Sequence, residues 1–185
     1  TALEVIFKEN GLQIFDVEEL STHGGSLRLF AQRADTGVQL VSKQVVDQLR
    51  KEVNAGMNSE NFYKDFQKKA SIVKNDLLKF LINAKQEHKK VVAYGAAAKG
   101  STLLNYAGIK KDLLAFVVDK SPSKQGKYMP GSRIPIYSEQ FLKNNKPDYV
   151  LILPWNLKIE VINQLSYMKK DGVNFLVIMP KLEII

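Results

Sequence analysis

The chain has 185 residues, 45% of them apolar, enough for one packed domain or one plus an appendage, and its formal net charge is +8. Zero cysteines exclude disulfides and thiolate metal sites, and two histidines, His23 and His88, are too few for a histidine metal cluster. There is no apolar run of about 18 residues and no basic, apolar, small-residue leader, so neither a membrane span nor a signal peptide is expected.

Residues 2–9, ALEVIFKE, place Ala2, Leu3, Ile6 and Phe7 at helical spacing, and Asn10-Gly11 stops the helix. LQIFDVEEL and SLRLFAQR then read as two strands, with STHGG at 21–25 as the turn between them. A lone hairpin is not stable in water. These strands therefore belong to the sheet of an upstream domain or pair with the edge of the later sheet, and the first is the better fit. A chain that starts at Thr1 reads as a piece of something longer.

Residues 42–89 read as helical with one break. Ser42 caps a helix whose inner face is Val45, Val46, Leu49 and Val53, and NAGMNSE at 54–60 interrupts it. A longer helix comes next, with Phe62, Phe66, Ala70, Val73, Leu77, Phe80, Leu81 and Ala84 on one stripe and lysines opposite. This block and the next carry the positive charge: residues 1–40 sum to −3, 41–90 to +5 and 91–185 to +6. Such a field suits an anionic partner. The cations are spread over helix faces with no recognised motif or aromatic platform, which speaks against nucleic acid.

From residue 90 strands alternate with helices. The strands are 91–95, 113–119, 148–155 and 174–180, with a shorter one at 134–138, and the helices are 100–108, 138–145 and 157–170. Continuous apolar strands between amphipathic helices predict an α/β fold, a Rossmann-like doubly wound parallel sheet covered on both faces.

The first strand of that block runs into Gly95-Ala96-Ala97-Ala98-Lys99-Gly100-Ser101. Gly95 and Gly100 match the outer glycines of both G-x-G-x-x-G and the Walker spacing. Ala97 stands where the first needs glycine, and Lys99 precedes the second glycine rather than coming after it. Neither signature is complete. The shared physics remains, a tight strand-to-helix turn with unpaired N–H groups that welcome a phosphate, and Lys99 and Ser101 add a charge and a hydroxyl. The bland alternative is a turn with no ligand.

Other candidates sit at neighbouring strand ends, where open α/β sheets bind ligands. Asp119 takes the place of a ribose-holding carboxylate. The loop 120–136, with Lys124 and Gln125, is long enough to be functional or disordered. Trp155 is a base-stacking ring or a core residue, and Asn156 a helix cap, a base-edge partner, or both.

STHGGSLRLFAQ, VVAYGAAAKGSTLLN, FVVDKSPSKQGKYMPGSRIPI and PDYVLILPWNL, in this order, resemble the C-terminal part of SAM-dependent sugar C-methyltransferases. The resemblance covers nearly the whole chain. It implies a cytoplasmic enzyme with a zinc-binding N-terminal module, a central domain holding S-adenosylmethionine, and a Rossmann-like C-terminal domain that helps hold a nucleotide-activated keto-deoxysugar. On it, residues 1–33 are the last helix and two strands of a class I methyltransferase domain, 34–89 a helical connector, and 90–185 the C-terminal domain. The missing methyltransferase domain is then the partner.

The zinc module, the SAM loop and the Glu-His base expected near the sugar are not in this sequence. The resemblance therefore assigns no catalytic, cofactor or metal residue here, and implies that the chain alone is inactive. It implies that Gly95, Ala96, Ala97, Lys99, Gly100 and Ser101 carry the diphosphate, and that Lys124 and Gln125 contact phosphate or sugar. Tyr94, Asp119, Trp155 and Asn156 would frame the nucleoside, and His23 and Arg28 would face the sugar. His23 in its glycine turn reads as a turn or interdomain residue before a substrate contact. An NAD(P)-binding module through Gly95, Gly100 and Asp119, and a scaffold without a ligand, are the competing readings.

Overall fold

The computed structural model describes residues 1–185, which divide into two compact units, residues 1–67 and 68–185. In the first unit α1 (Ala2–Glu9) precedes an antiparallel hairpin of β1 (Leu12–Leu20) and β2 (Ser26–Arg33), followed by α2 (Lys43–Asn54) and a single turn α3 (Glu60–Tyr63). The turn between the strands holds three successive left-handed residues, His23 at φ 57, Gly24 at 84 and Gly25 at 116. Two of them are glycine, the residue for which that conformation is free of strain. A bulge at Phe15 turns its carbonyl to the Ser42 N–H, at 2.8 Å. Ser42 Oγ accepts weakly from Val45 N–H at 3.4 Å and donates to Asp16 at 2.6 Å, which fastens the expected cap of α2 to β1.

The hairpin is a two-stranded sheet of its own, which removes the option of pairing with the later sheet. Only Val17 on it is buried. Within this unit a cavity of about 710 Å³ is lined by Leu3, Ile14, Val17, Leu29, Val45 and Leu49 among others.

The second unit takes in α4 (Phe66–Gln86) from Lys68 onward, then β3 (Val91–Tyr94), α5 (Ala98–Tyr106), β4 (Val117–Val118), β5 (Ile136–Tyr137) and α6 (Glu139–Asn145). It continues through β6 (Tyr149–Ile152), α7 (Lys158–Gln164), α8 (Ser166–Lys170), β7 (Asn174–Val177) and β8 (Glu183–Ile184). The sheet order is β5-β4-β3-β6-β7-β8, parallel except for β8. This is the expected doubly wound, Rossmann-like sheet.

Strand alternation explains its two cores. Val91, Ala93, Leu151 and Leu176 face one way, into a cluster with Leu77, Leu81 and Ala84 of α4 and Leu103 and Leu104 of α5. Val92, Tyr94, Val150, Ile152 and Phe175 face the other, against Leu142, Val161 and Met168 of α6, α7 and α8. Buried on both sides, the strands need to be apolar throughout, which is how they read.

Several expectations need correction. The strand expected at 113–119 shrinks to Val117–Val118, and β8 was not expected. The helix expected over 157–170 breaks at Leu165. Phe62 and Phe66 are exposed, at 46% and 71%, as are Val46 and Val53; the buried stripe of α4 is Leu77, Leu81 and Ala84. The loop 120–136 is ordered. Met129 N–H donates to Ile134 O at 2.8 Å, Ile136 N–H to Lys127 O at 2.8 Å, and Asn105 Nδ2 to Pro130 O at 2.9 Å.

Candidate functional site

The order of the sheet reverses between β3 and β6, and ligands of open α/β sheets bind in the crevice outside the carboxyl ends of strands at such a point. The glycine turn leaves the end of β3, and Leu153-Pro154-Trp155-Asn156 leaves the end of β6. The two segments fit closely. Gly95 has φ 95, and a Cβ there would lie 2.5 Å from the Pro154 ring; a Cβ on Gly100 would lie 2.8 Å from Leu153. Both glycines are thus required by packing alone, before any ligand is considered.

Ala97, in extended conformation, is the N-cap of α5, and its methyl group cannot accept from the N–H groups of the first helical turn. Lys99 projects from this turn across the crevice. Its ammonium donates to Asn156 Oδ1 at 2.9 Å and lies 5.4 Å from the centre of the Trp155 ring. Trp155 and Asn156 stand in a single 3-10 turn, both half-buried, with Trp155 packed on the second core cluster. Asn156 caps no helix: the residue before α7 is Leu157, and the Asn156 side chain answers Lys99.

Asp119 turns inward. It is 8% exposed; Oδ2 accepts from Ala96 N–H at 2.7 Å and from the Lys124 ammonium at 3.0 Å, while Oδ1 accepts from Ser121 N–H at 2.8 Å. Gln125 Nε2 donates to the Asp119 carbonyl at 3.0 Å. One carboxylate thereby ties the glycine turn to the start of the loop. Ser101 Oγ bonds back to Ala97 O at 3.3 Å.

Tyr94 is 6% exposed. Its hydroxyl donates to Glu139 Oε1 at 2.6 Å and accepts from Gln164 Nε2 at 2.8 Å, and Gln164 also reaches Glu139. Burial first, then the Glu139 carboxylate, push the phenol well above its ordinary value. Nothing in the sequence marks Glu139 and Gln164 as its partners. They lie 45 and 70 residues from Tyr94, and no local pattern signals them.

The structure thus gathers Gly95, Ala96, Ala97, Lys99, Gly100, Ser101, Asp119, Lys124, Gln125, Trp155 and Asn156 at the carboxyl ends of β3, β4 and β6, with Tyr94 buried beside them. His23 and Arg28 belong to the first unit: His23 in the hairpin turn, Arg28 on β2 in an exposed ion pair with Glu18 at 3.0 Å.

Nothing here suits a metal: no three His, Asp or Glu side chains cluster. S-adenosylmethionine and NAD both present an adenosine ribose diol, for which a strand-end carboxylate is the usual grip. Both oxygens of Asp119 are engaged inside the protein, so this carboxylate is not presented to either diol.

Comparison with known proteins identifies the family. The chain is 33% identical over 184 residues to the C-methyltransferase NovU of Streptomyces niveus; the match covers 100% of this chain and 44% of that protein. Among solved structures, UDP-D-quinovosamine 4-dehydrogenase from Vibrio fischeri is 24% identical, over 52% of this chain and 93% of its own, at a TM-score of 0.39, too distant to bear on function. Residues 21–180 match the family described as the C-methyltransferase C-terminal domain, and the chain belongs to that family.

Proposed function

We propose that the second unit holds a nucleotide-activated keto-deoxysugar for a SAM-dependent C-methyltransferase of the cytoplasm. On this reading residues 1–33 complete the methyltransferase domain of the longer enzyme, and residues 34–89 link it to the domain at 90–185. The observation that carries it is the convergence of Lys99, Trp155 and Asn156 at the switch point of the sheet. An ammonium, an aromatic face and an amide beside an uncapped helix start are what a nucleoside diphosphate asks of a site: charge for phosphate, a ring for the base, a polar edge for its hydrogen bonds.

The whole enzyme would form a bond between the methyl group of S-adenosylmethionine and a ring carbon deprotonated next to the keto group, while the bond from that methyl to sulfur breaks and its electron pair stays on the departing S-adenosylhomocysteine. This chain offers no positioned base for that deprotonation, so it binds and orients, and is inactive alone. Zinc would belong to a module outside these residues.

Titration of the chain with dTDP, NAD and S-adenosylmethionine tests the reading. dTDP alone should bind, and Lys99→Ala should weaken it about tenfold or more, the worth of one charge-assisted contact, without lowering the melting temperature. Unchanged affinity in that variant removes the assignment; binding of NAD instead overturns it. The packing of Gly95 on Pro154 and Gly100 on Leu153 favours one rival, a bracing domain with no ligand of its own, and silence from all three ligands would select it.

A further inference from the structure

We propose that Asp119 is a specificity-determining residue, an internal anion that decides what the crevice accepts. The inference rests on the reading of the turn and α5 as a phosphate seat. A strand-to-helix turn aims its N–H groups at an anion, and at Ala96 that place is already taken: Asp119 Oδ2 lies 2.7 Å from the amide nitrogen. The carboxylate is nearly out of solvent, its other oxygen is held by Ser121 N–H, and Lys124 is its only counter-charge at hydrogen-bond distance. A second anion brought to the same amide meets this charge at close range in a poorly screened site.

Phosphate is therefore admitted only farther along, at the first turn of α5, where no side chain caps the helix and Lys99 reaches over. Adenine dinucleotides are rejected twice: the amide at the turn is filled, and no carboxylate is left for the ribose diol. A nucleotide-sugar that seats its diphosphate at Lys99, with its pentose ungripped by Asp119, needs neither. The negative charge on Asp119, held in place by Lys124, thus separates one class of nucleotide from the other within a common fold.

The test is the sign of a change. Inorganic pyrophosphate is titrated calorimetrically into the parent chain, Asp119→Asn and Lys124→Ala, with thermal melts on each. Removing the internal charge should tighten pyrophosphate about tenfold, and removing its counter-charge should weaken it by a similar factor. Should Asp119→Asn fail to fold, Asp119→Ser keeps an acceptor without the charge. Pyrophosphate bound by the parent chain but no tighter by the charge-removing variant overturns this inference and leaves the phosphate seat standing. Weakening in both variants makes the pair a brace for the loop, and overturns it too. Binding by none of the proteins removes the phosphate seat and this inference together.

Discussion

Val17 and Val45 are the only hydrophobic side chains buried in residues 1–67, whereas residues 68–185 bury 31. The first unit has the longer strands, of nine and eight residues, and the second has strands of four residues or two. Strand length is therefore a poor guide to what holds a sheet together. A hairpin leaves most of its surface in water, while a short parallel strand covered on both faces buries nearly every side chain it has. The first unit compensates with polar fastening, Ser42 to Asp16 and Lys51 to Glu19. Such bonds fix geometry but add little stability when exposed.

The contrast can be broken by truncation. Leu151→Ala, at a fully buried position in the first core cluster of the second unit, should cost about 3–5 kcal/mol, while Val17→Ala should cost about 1 kcal/mol, both read by urea unfolding. Equal costs would mean that the hairpin is as well packed as the sheet. Hydrogen exchange sharpens the same point: amides of β1 and β2 should exchange well before those of β3 and β6.

Gly95→Ala is the next largest. It places a methyl group 2.5 Å from Pro154 on a backbone at φ 95, and should cost about 3 kcal/mol in thermal melts. A neutral result would mean that the turn has room, and that glycine stands there for another reason.

Smaller than Gly95→Ala is Tyr94→Phe, about 1.5 kcal/mol at neutral pH, from loss of the bond to Glu139. It carries a pH signature. The folded phenol is held above its ordinary value, so the unfolded chain releases its proton first, from about pH 10 upward. Stability from this group is complete below that pH and drains away above it. Tyr94→Phe should flatten the alkaline limb of the stability curve; an unchanged limb would show that another group sets it.

Much of the second unit was legible in the sequence because its physics is local. Val91–Tyr94, Tyr149–Ile152 and Asn174–Val177 are largely apolar runs, and Gly95 marks the turn after the first of them. What escaped was set by partners remote in sequence. Leu113 and Leu114 read as strand, yet they stand in a turn closed by hydrogen bonds to Lys110 O, and Leu114 is buried there at 0% exposure. Phe62 and Phe66 fit a helical stripe, but periodicity cannot say where along a helix burial begins. The inward turn of Asp119 needs Ala96, 23 residues away, and the role of Asn156 needs Lys99, 57 away. The crevice could be located from the sequence; its wiring could not.

Trp155 is the single tryptophan of the chain, and a lysine ammonium rests over its ring. The indole is therefore a built-in optical probe whose chromophore already senses a positive charge. Anything that draws Lys99 away, or slides between it and the ring, alters emission at one defined place, with no dye or label to attach. A spectrometer that excites the indole selectively over the tyrosines would follow occupancy of this crevice in real time.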